Sequence, residues 1–239
     1  MKPIVLGLGA ALAVTLVAPA ARACEIDKDA LIALWPGVAD MPTTRVQVLA
    51  PAINPRSYSP GEALPDGCKV RWSVDKRYGR IKDSKLTIVP GTPDGTEITV
   101  TGEIRTTAGV RKVEGRLYVI DMAAHPTAGN WRQTAISCPL GMQGAPLNEL
   151  IFNARGEFKA TWQPFETYVD YWGKYTFDPA TGAITLTPTG GNHVPDDAVL
   201  TGTVSVNGNE MRTKGLSFGQ PNGSALPPDC EITFRRGGS

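Results

Sequence analysis

Histidine, charge excess and long apolar runs are all scarce in this chain, and each shortage removes a class of function. Only two histidines occur in 239 residues, His125 and His193, and they lie 68 positions apart. The sequence contains no His-Glu-x-x-His, Walker loop or dinucleotide fingerprint following a strand, so the common metalloprotease and nucleotide motifs are missing. Lys and Arg number 24 against 23 Asp and Glu. With no basic excess there is little to draw nucleic acid or anionic lipid non-specifically. No Cys-x-x-Cys pair exists, which argues against a thioredoxin-like redox site or a zinc knuckle. After the first residues no stretch is apolar for the roughly 20 positions a spanning helix needs, so no membrane span is expected.

What is present begins at the amino end. Lys2 precedes an almost wholly apolar run from Ile4 to Val17, and Ala21-Arg22-Ala23 follows as a small-x-small site. That order is a secretory signal peptide over residues 1–23, which places the mature protein in the periplasm or outside the cell. Cys24 stands at the cleavage point, so a lipid anchor there is the minor alternative. The position three residues before it is Ala21, where a lipoprotein site usually carries Leu. Four cysteines remain, Cys24, Cys68, Cys138 and Cys230. An even number in an exported chain implies disulfides and leaves their connectivity open.

The rest reads as short strands. Asp27 to Leu34 is expected to form one short helix capped by Asp27 and stopped at Trp35-Pro36-Gly37, within an amino-terminal arm over 24–42. Cys68 to Val74 alternates, with Cys68, Val70, Trp72 and Val74 on one face and Lys69, Arg71 and Ser73 on the other, the period of a half-buried strand. Thr44–Leu49, Lys85–Val89, Glu97–Ile104 and Val113–Ile120 repeat it between turns such as Pro93-Asp94-Gly95. A β-sandwich over 43–122 is the expectation. The stretch K-L-T-I-V-P-G-T-P-D-G-T-E-I-T-V-T-G-E-I, Lys85 to Ile104, resembles the core of bacterial immunoglobulin-like domains. That resemblance implies a spacer or adhesion module without catalytic residues.

Residues 123–128 break the alternation and read as a linker. Beyond them eight strand candidates, the first at Trp131–Ser137 and the last at Cys230–Arg235, are joined mainly by hairpins, including the Asn207-Gly208 turn. An antiparallel barrel over 129–239 removes their edges by closing. Gly129-Asn130-Trp131 at the start and Arg235-Arg236 at the end, together with F-N-A-R-G-E-F-K-A-T-W and D-Y-W-G-K-Y-T-F-D, resemble the lipocalin-like (calycin) barrels of exported bacterial proteins. The resemblance implies that Trp131 plugs the barrel base beneath Arg235 or Arg236. It also makes the first and last strands neighbours, so that Cys138 would pair with Cys230 and Cys24 with Cys68.

The fold class is therefore all-β, an immunoglobulin-like sandwich plus an eight-stranded antiparallel lipocalin-like barrel. The most aromatic stretch supplies a candidate ligand site of Trp162, Phe165, Tyr168, Tyr171 and Trp172, suited to a small hydrophobic or carbohydrate ligand or to a protein partner. Tyr175 is assigned to the core. Glu166 and Asp170 form the one carboxylate pair that a hydrolase would use. Their place beside a barrel mouth is equally that of solvated acids. His193 with Asp196 and Asp197 reads as a solvated turn, and neither a metal nor a cofactor is expected. The leading expectation is an exported, non-enzymatic binding or interaction protein. The alternatives are a peptidase or lysozyme inhibitor acting through the arm Glu25 to Trp35, and a hydrolase using Glu166 and Asp170.

Overall fold

The computed structural model describes residues 23–34, 37–56, 61–141, 146–163, 169–219, 226–227 and 229–237. The proposed signal peptide up to residue 22, and with it Trp35, Phe165, Glu166 and Tyr168, lie outside the described residues.

The first half of the chain builds three small sheets. Its strands are β1 (Ile32–Leu34), β2 (Val38–Pro42), β3 (Val46–Val48), β4 (Pro51–Ile53), β5 (Glu62–Ala63), β6 (Val70–Val74), β7 (Gly79–Lys82), β8 (Lys85–Ile88), β9 (Glu97–Thr106) and β10 (Gly109–Ile120). One sheet runs β2-β10-β9-β6 and a second β3-β8-β7. Their inner faces meet in one core, with Leu86 and Ile88 of β8 packed on Ile98 and Val100 of β9 and Leu117 and Val119 of β10. This is a two-layer sandwich, as the alternating pattern requires. The third sheet, β1-β4-β5, shares a second core in which Ile32 packs with Ile104 of β9 and Val113 of β10.

The expected helix over Asp27 to Leu34 does not form. Asp27 heads a turn instead, its carboxylate accepting from the Asp29 N–H and its carbonyl from the Ala30 N–H. Ile32 to Leu34 then pairs with β4. Packing decides the matter against local propensity: Leu34 presses on Gly115 of β10, where a Cβ would lie 2.4 Å from Leu34 Cδ2. Residues 24–42 are thus no free arm. Cys24 is disulfide-bonded to Cys68, the Ala30 carbonyl accepts from Arg111 Nη2 at 2.7 Å, and β2 pairs in parallel with β10. The Cys24 sulfur is occupied and unavailable for the thioether of a lipid anchor.

The second half closes on itself. Strands β11 (Gly129–Ser137), β12 (Glu149–Asn153), β13 (Glu157–Gln163), β14 (Val169–Phe177), β15 (Ala183–Gly191), β16 (Thr201–Asn207), β17 (Glu210–Lys214) and β18 (Glu231–Arg236) form an antiparallel ring. Closure is made by β11, which pairs with both β12 and β18. Cys138 and Cys230, at the ends of those neighbouring strands, form the second disulfide. Two disulfides suit an oxidising compartment outside the cytoplasm. No helix among the described residues is long and apolar enough to cross a membrane.

Sandwich and barrel are joined by polar contacts. The Asp40 carboxylate on β2 accepts from the Ala154 N–H and from Arg155 Nη1, each at 2.7 Å, and the Arg155 guanidinium lies 4.2 Å from the Tyr118 ring centroid. In the turns between β10 and β11, His125 Nε2 meets Asp94 Oδ2 at 2.9 Å.

Candidate functional site

Alternation along each barrel strand sends every second side chain inward, and here these side chains fill the lumen. Trp131, Leu150, Phe152, Phe158, Tyr171 and Phe234 are all buried within a single core cluster. The rings meet edge to face, Phe158 with Tyr171 at 5.7 Å and Phe218 with Phe234 at 5.9 Å between centroids. Their polar tips are taken by the protein itself. Tyr171 donates to the Phe218 carbonyl at 3.0 Å, Tyr175 to the Asn153 carbonyl at 2.9 Å, and Trp131 Nε1 to the Thr127 carbonyl at 2.8 Å. Burial pushes the Tyr171 phenol well above its usual range, so it stays a neutral donor.

The base is sealed by Arg236, whose guanidinium lies 4.3 Å from the Trp131 ring centroid and donates to the Ala128 and Pro126 carbonyls. The neighbouring Arg235 points outward to solvent. Of the two arginines singled out from the sequence, the second is therefore the one that stacks.

The candidate ligand residues separate. Trp162 and Tyr171 are buried inside, whereas Trp172, one position along β14 from Tyr171, faces out with 47% of its surface exposed. Adjacent residues of a strand cannot share a face, so these two aromatics cannot line one pocket. Phe165 and Tyr168 fall outside the described residues. Of the carboxylate pair, Glu166 is likewise outside them. Asp170 is buried and ion-paired with Lys159 at 3.3 Å. His193 is exposed, and among the described residues no three His, Cys, Asp or Glu side chains gather at one point.

Around Trp172 the outer wall forms a cleft of about 310 Å³, lined by Ile151, Asn153, Glu157, Lys159, Trp172 and Lys174. Register explains the grouping: Ile151 lies opposite Lys159, Lys159 opposite Trp172, and Trp172 opposite Gly190. The indole packs against Gly190, where a Cβ would come within 2.9 Å of Trp172 Nε1. The ring is thus held against the backbone while about half of the residue meets solvent. Glu157 organises the polar rim, accepting from Lys174 Nζ at 2.6 Å and Asn153 Nδ2 at 2.8 Å. Lys174 first, then Asn153, hold its carboxyl below the usual range.

Gly190, which packs against the Trp172 indole, is the residue that sequence reasoning missed. Its only signal was the Gly190-Gly191 pair at the end of a strand, which marks close backbone approach without saying to what. No protein-family model matches the chain, and comparison with curated proteins gives no match.

Proposed function

We propose that this protein is an exported, non-enzymatic binding protein, cleaved near Ala23 and working in the periplasm or outside the cell. In this reading an immunoglobulin-like sandwich carries a lipocalin-like barrel, the barrel is a filled scaffold, and the ligand seat lies on its outer wall. The split of β14 carries the reading. Tyr171 is inside with its hydroxyl already bonded, while Trp172 is outside with its indole packed against Gly190 and a rim of hydrogen-bonding groups. A flat aromatic surface flanked by an amide, a carboxylate and two ammonium groups suits a carbohydrate. Such a ring has an apolar face to stack and hydroxyls to pair at its edge.

The test is titration of the mature protein with a panel of soluble oligosaccharides, read by intrinsic tryptophan fluorescence and calorimetry. An anchor aromatic is worth about 2 kcal/mol or more, so Trp172→Ala should weaken a bound oligosaccharide by roughly 30-fold. As an exposed position it should leave the melting temperature within about a degree or two of wild type. Absence of binding across the panel, or equal binding by the variant, would sink the proposal.

A further inference from the structure

The seam where β11 meets β18 carries a second, chemically different feature. Arg132 of β11 and Arg235 of β18 are directly opposite one another in register, and both are exposed on the outer wall. Like charges at opposed positions of an antiparallel pair destabilise it, and a nearby acid ordinarily relieves them. Here the nearest acids keep their charge but hydrogen-bond to other residues. Glu210, which faces Arg235 from β17, accepts from Arg212 Nε at 2.7 Å. Glu149, on the strand flanking β11, accepts from Asn130 Nδ2 at 2.7 Å. Arg132 and Arg235 have no ion pair or side-chain hydrogen bond among the described residues.

The two guanidiniums border a cleft of about 440 Å³ whose wall also includes Asn130, Thr134 and Arg236. Arg236 is spent on Trp131 and two carbonyls, yet its charge adds to the field there.

We propose that Arg132 and Arg235 form a binding site for a phosphate group. Their strands run about 4.8 Å apart, so one small anion lies within reach of both planar forks. A carboxylate offers two oxygens and satisfies a single fork, whereas a phosphate offers three or four and can satisfy both. Binding gives the two guanidiniums a direct partner, which none of the neighbouring acids supplies. The phosphate can belong to a soluble molecule or to a lipid headgroup, and the guanidiniums recognise the same chemistry in either. The site uses side chains other than those of the Trp172 cleft, although Asn130 on its wall lies opposite Ile151 of that cleft in register.

The experiment titrates the mature, disulfide-bonded protein with sodium phosphate against sodium chloride at matched ionic strength, following the melting temperature and binding heat. A parallel arm measures co-sedimentation with vesicles of phosphatidylcholine alone and with phosphatidylglycerol added. Saturable stabilisation by phosphate identifies the soluble source, and co-sedimentation with phosphatidylglycerol vesicles alone identifies the lipid source. Arg132→Gln and Arg235→Gln should each weaken whichever binding is seen by ~10-fold or more. Arg77→Gln, which removes an exposed arginine of the sandwich paired with Asp75, should stay within about two-fold. Without phosphate, Arg132→Gln and Arg235→Gln should melt no lower than wild type, because each removes a repulsion. That result separates a binding role from a structural one. Binding in neither arm, binding undiminished in the double variant, or a lower melting temperature of the single variants would overturn the site. Trp172→Ala should leave phosphate binding unchanged, so this test stands or falls apart from the carbohydrate reading.

Discussion

Replacing Arg236 by methionine tests what seals the base of the barrel. Methionine keeps most of the side-chain length and removes the charge. The Ala128 and Pro126 carbonyls then lose a charged donor, and the Trp131 ring loses the cation above it. Hydrogen bonds to charged groups contribute about 1.5–3 kcal/mol each, and a partly desolvated cation over an indole about 1–2 kcal/mol. Two terms oppose this loss. Burial of the guanidinium, which pushes its pKa below the ordinary arginine value, costs free energy that the variant regains, and a thioether against the indole returns about 0.3–1.5 kcal/mol. The balance is a loss of roughly 3–4 kcal/mol. With a urea dependence of about 2 kcal/mol per molar, the unfolding midpoint should fall by some 1.5–2 M. The assay is urea unfolding followed by tryptophan fluorescence, with Arg235→Met as the matched control one residue away. Arg235 is exposed and unbonded, so its variant should move the midpoint by less than about 0.3 M. Equal shifts for the two variants would refute the reasoning, since the packing of Trp131 would then not depend on which arginine lies over it.

Gly173→Ala should prevent the barrel from forming or destabilise it by more than about 3 kcal/mol, because an added Cβ would lie 2.0 Å from the Thr187 carbonyl and 2.7 Å from Pro188 Cα. Loss of soluble protein, or of the cooperative transition in circular dichroism, is the readout. Asp94 gives a pH prediction: the Asp121 N–H above all, and His125 after it, hold its carboxyl below the ordinary value. A carboxyl depressed in the folded state contributes stability above the unfolded carboxylate pKa, about 3.9, and loses it as the pH falls through the folded value. Melting temperature between about pH 2.5 and 6 should therefore fall less steeply in Asp94→Asn than in wild type.

The strands that could be read from sequence were those long enough to show their period. Glu97–Thr106 alternates buried and exposed positions over its ten residues, and hydrophobic alternation of that length admits few other structures. The strands β1, β4 and β5 have three, three and two residues, too few for a period to emerge, and their pairing is decided by what they pack on. Parallel addition of β2 to β10 leaves no local trace either, because its partner lies more than 70 positions away. The same limit governed the candidate sites. The segment Asp170-Tyr171-Trp172 is conspicuous for its aromatics, and alternation alone puts Tyr171 and Trp172 on opposite walls. Which wall was the lumen depended on closure. Arg235 was legible as a candidate for the barrel base, but its pairing with Arg132 was not, since the register is interrupted between Gln133 and Ala135 and no residue type there announces a bulge.

Energetics separate the two faces of the barrel as places for a ligand. To enter the lumen a ligand must displace packed rings such as Phe158 and Trp162 and break the bond from Tyr171 to the Phe218 carbonyl. Emptying one large aromatic site of that kind costs about 3–5 kcal/mol before any new contact forms, and the abandoned carbonyl adds about 1–3 kcal/mol. On the outer wall neither cost arises. Trp172 already presents an indole packed against Gly190, and Arg132 and Arg235 already present guanidiniums opposite one another in register. A ligand there displaces only water. The filled lumen supplies the rigidity that keeps these outward groups in position. A preformed wall of this kind lets binding proceed without rearrangement of the core, and that is why the outer face, and not the interior, is the place to look for what the protein holds.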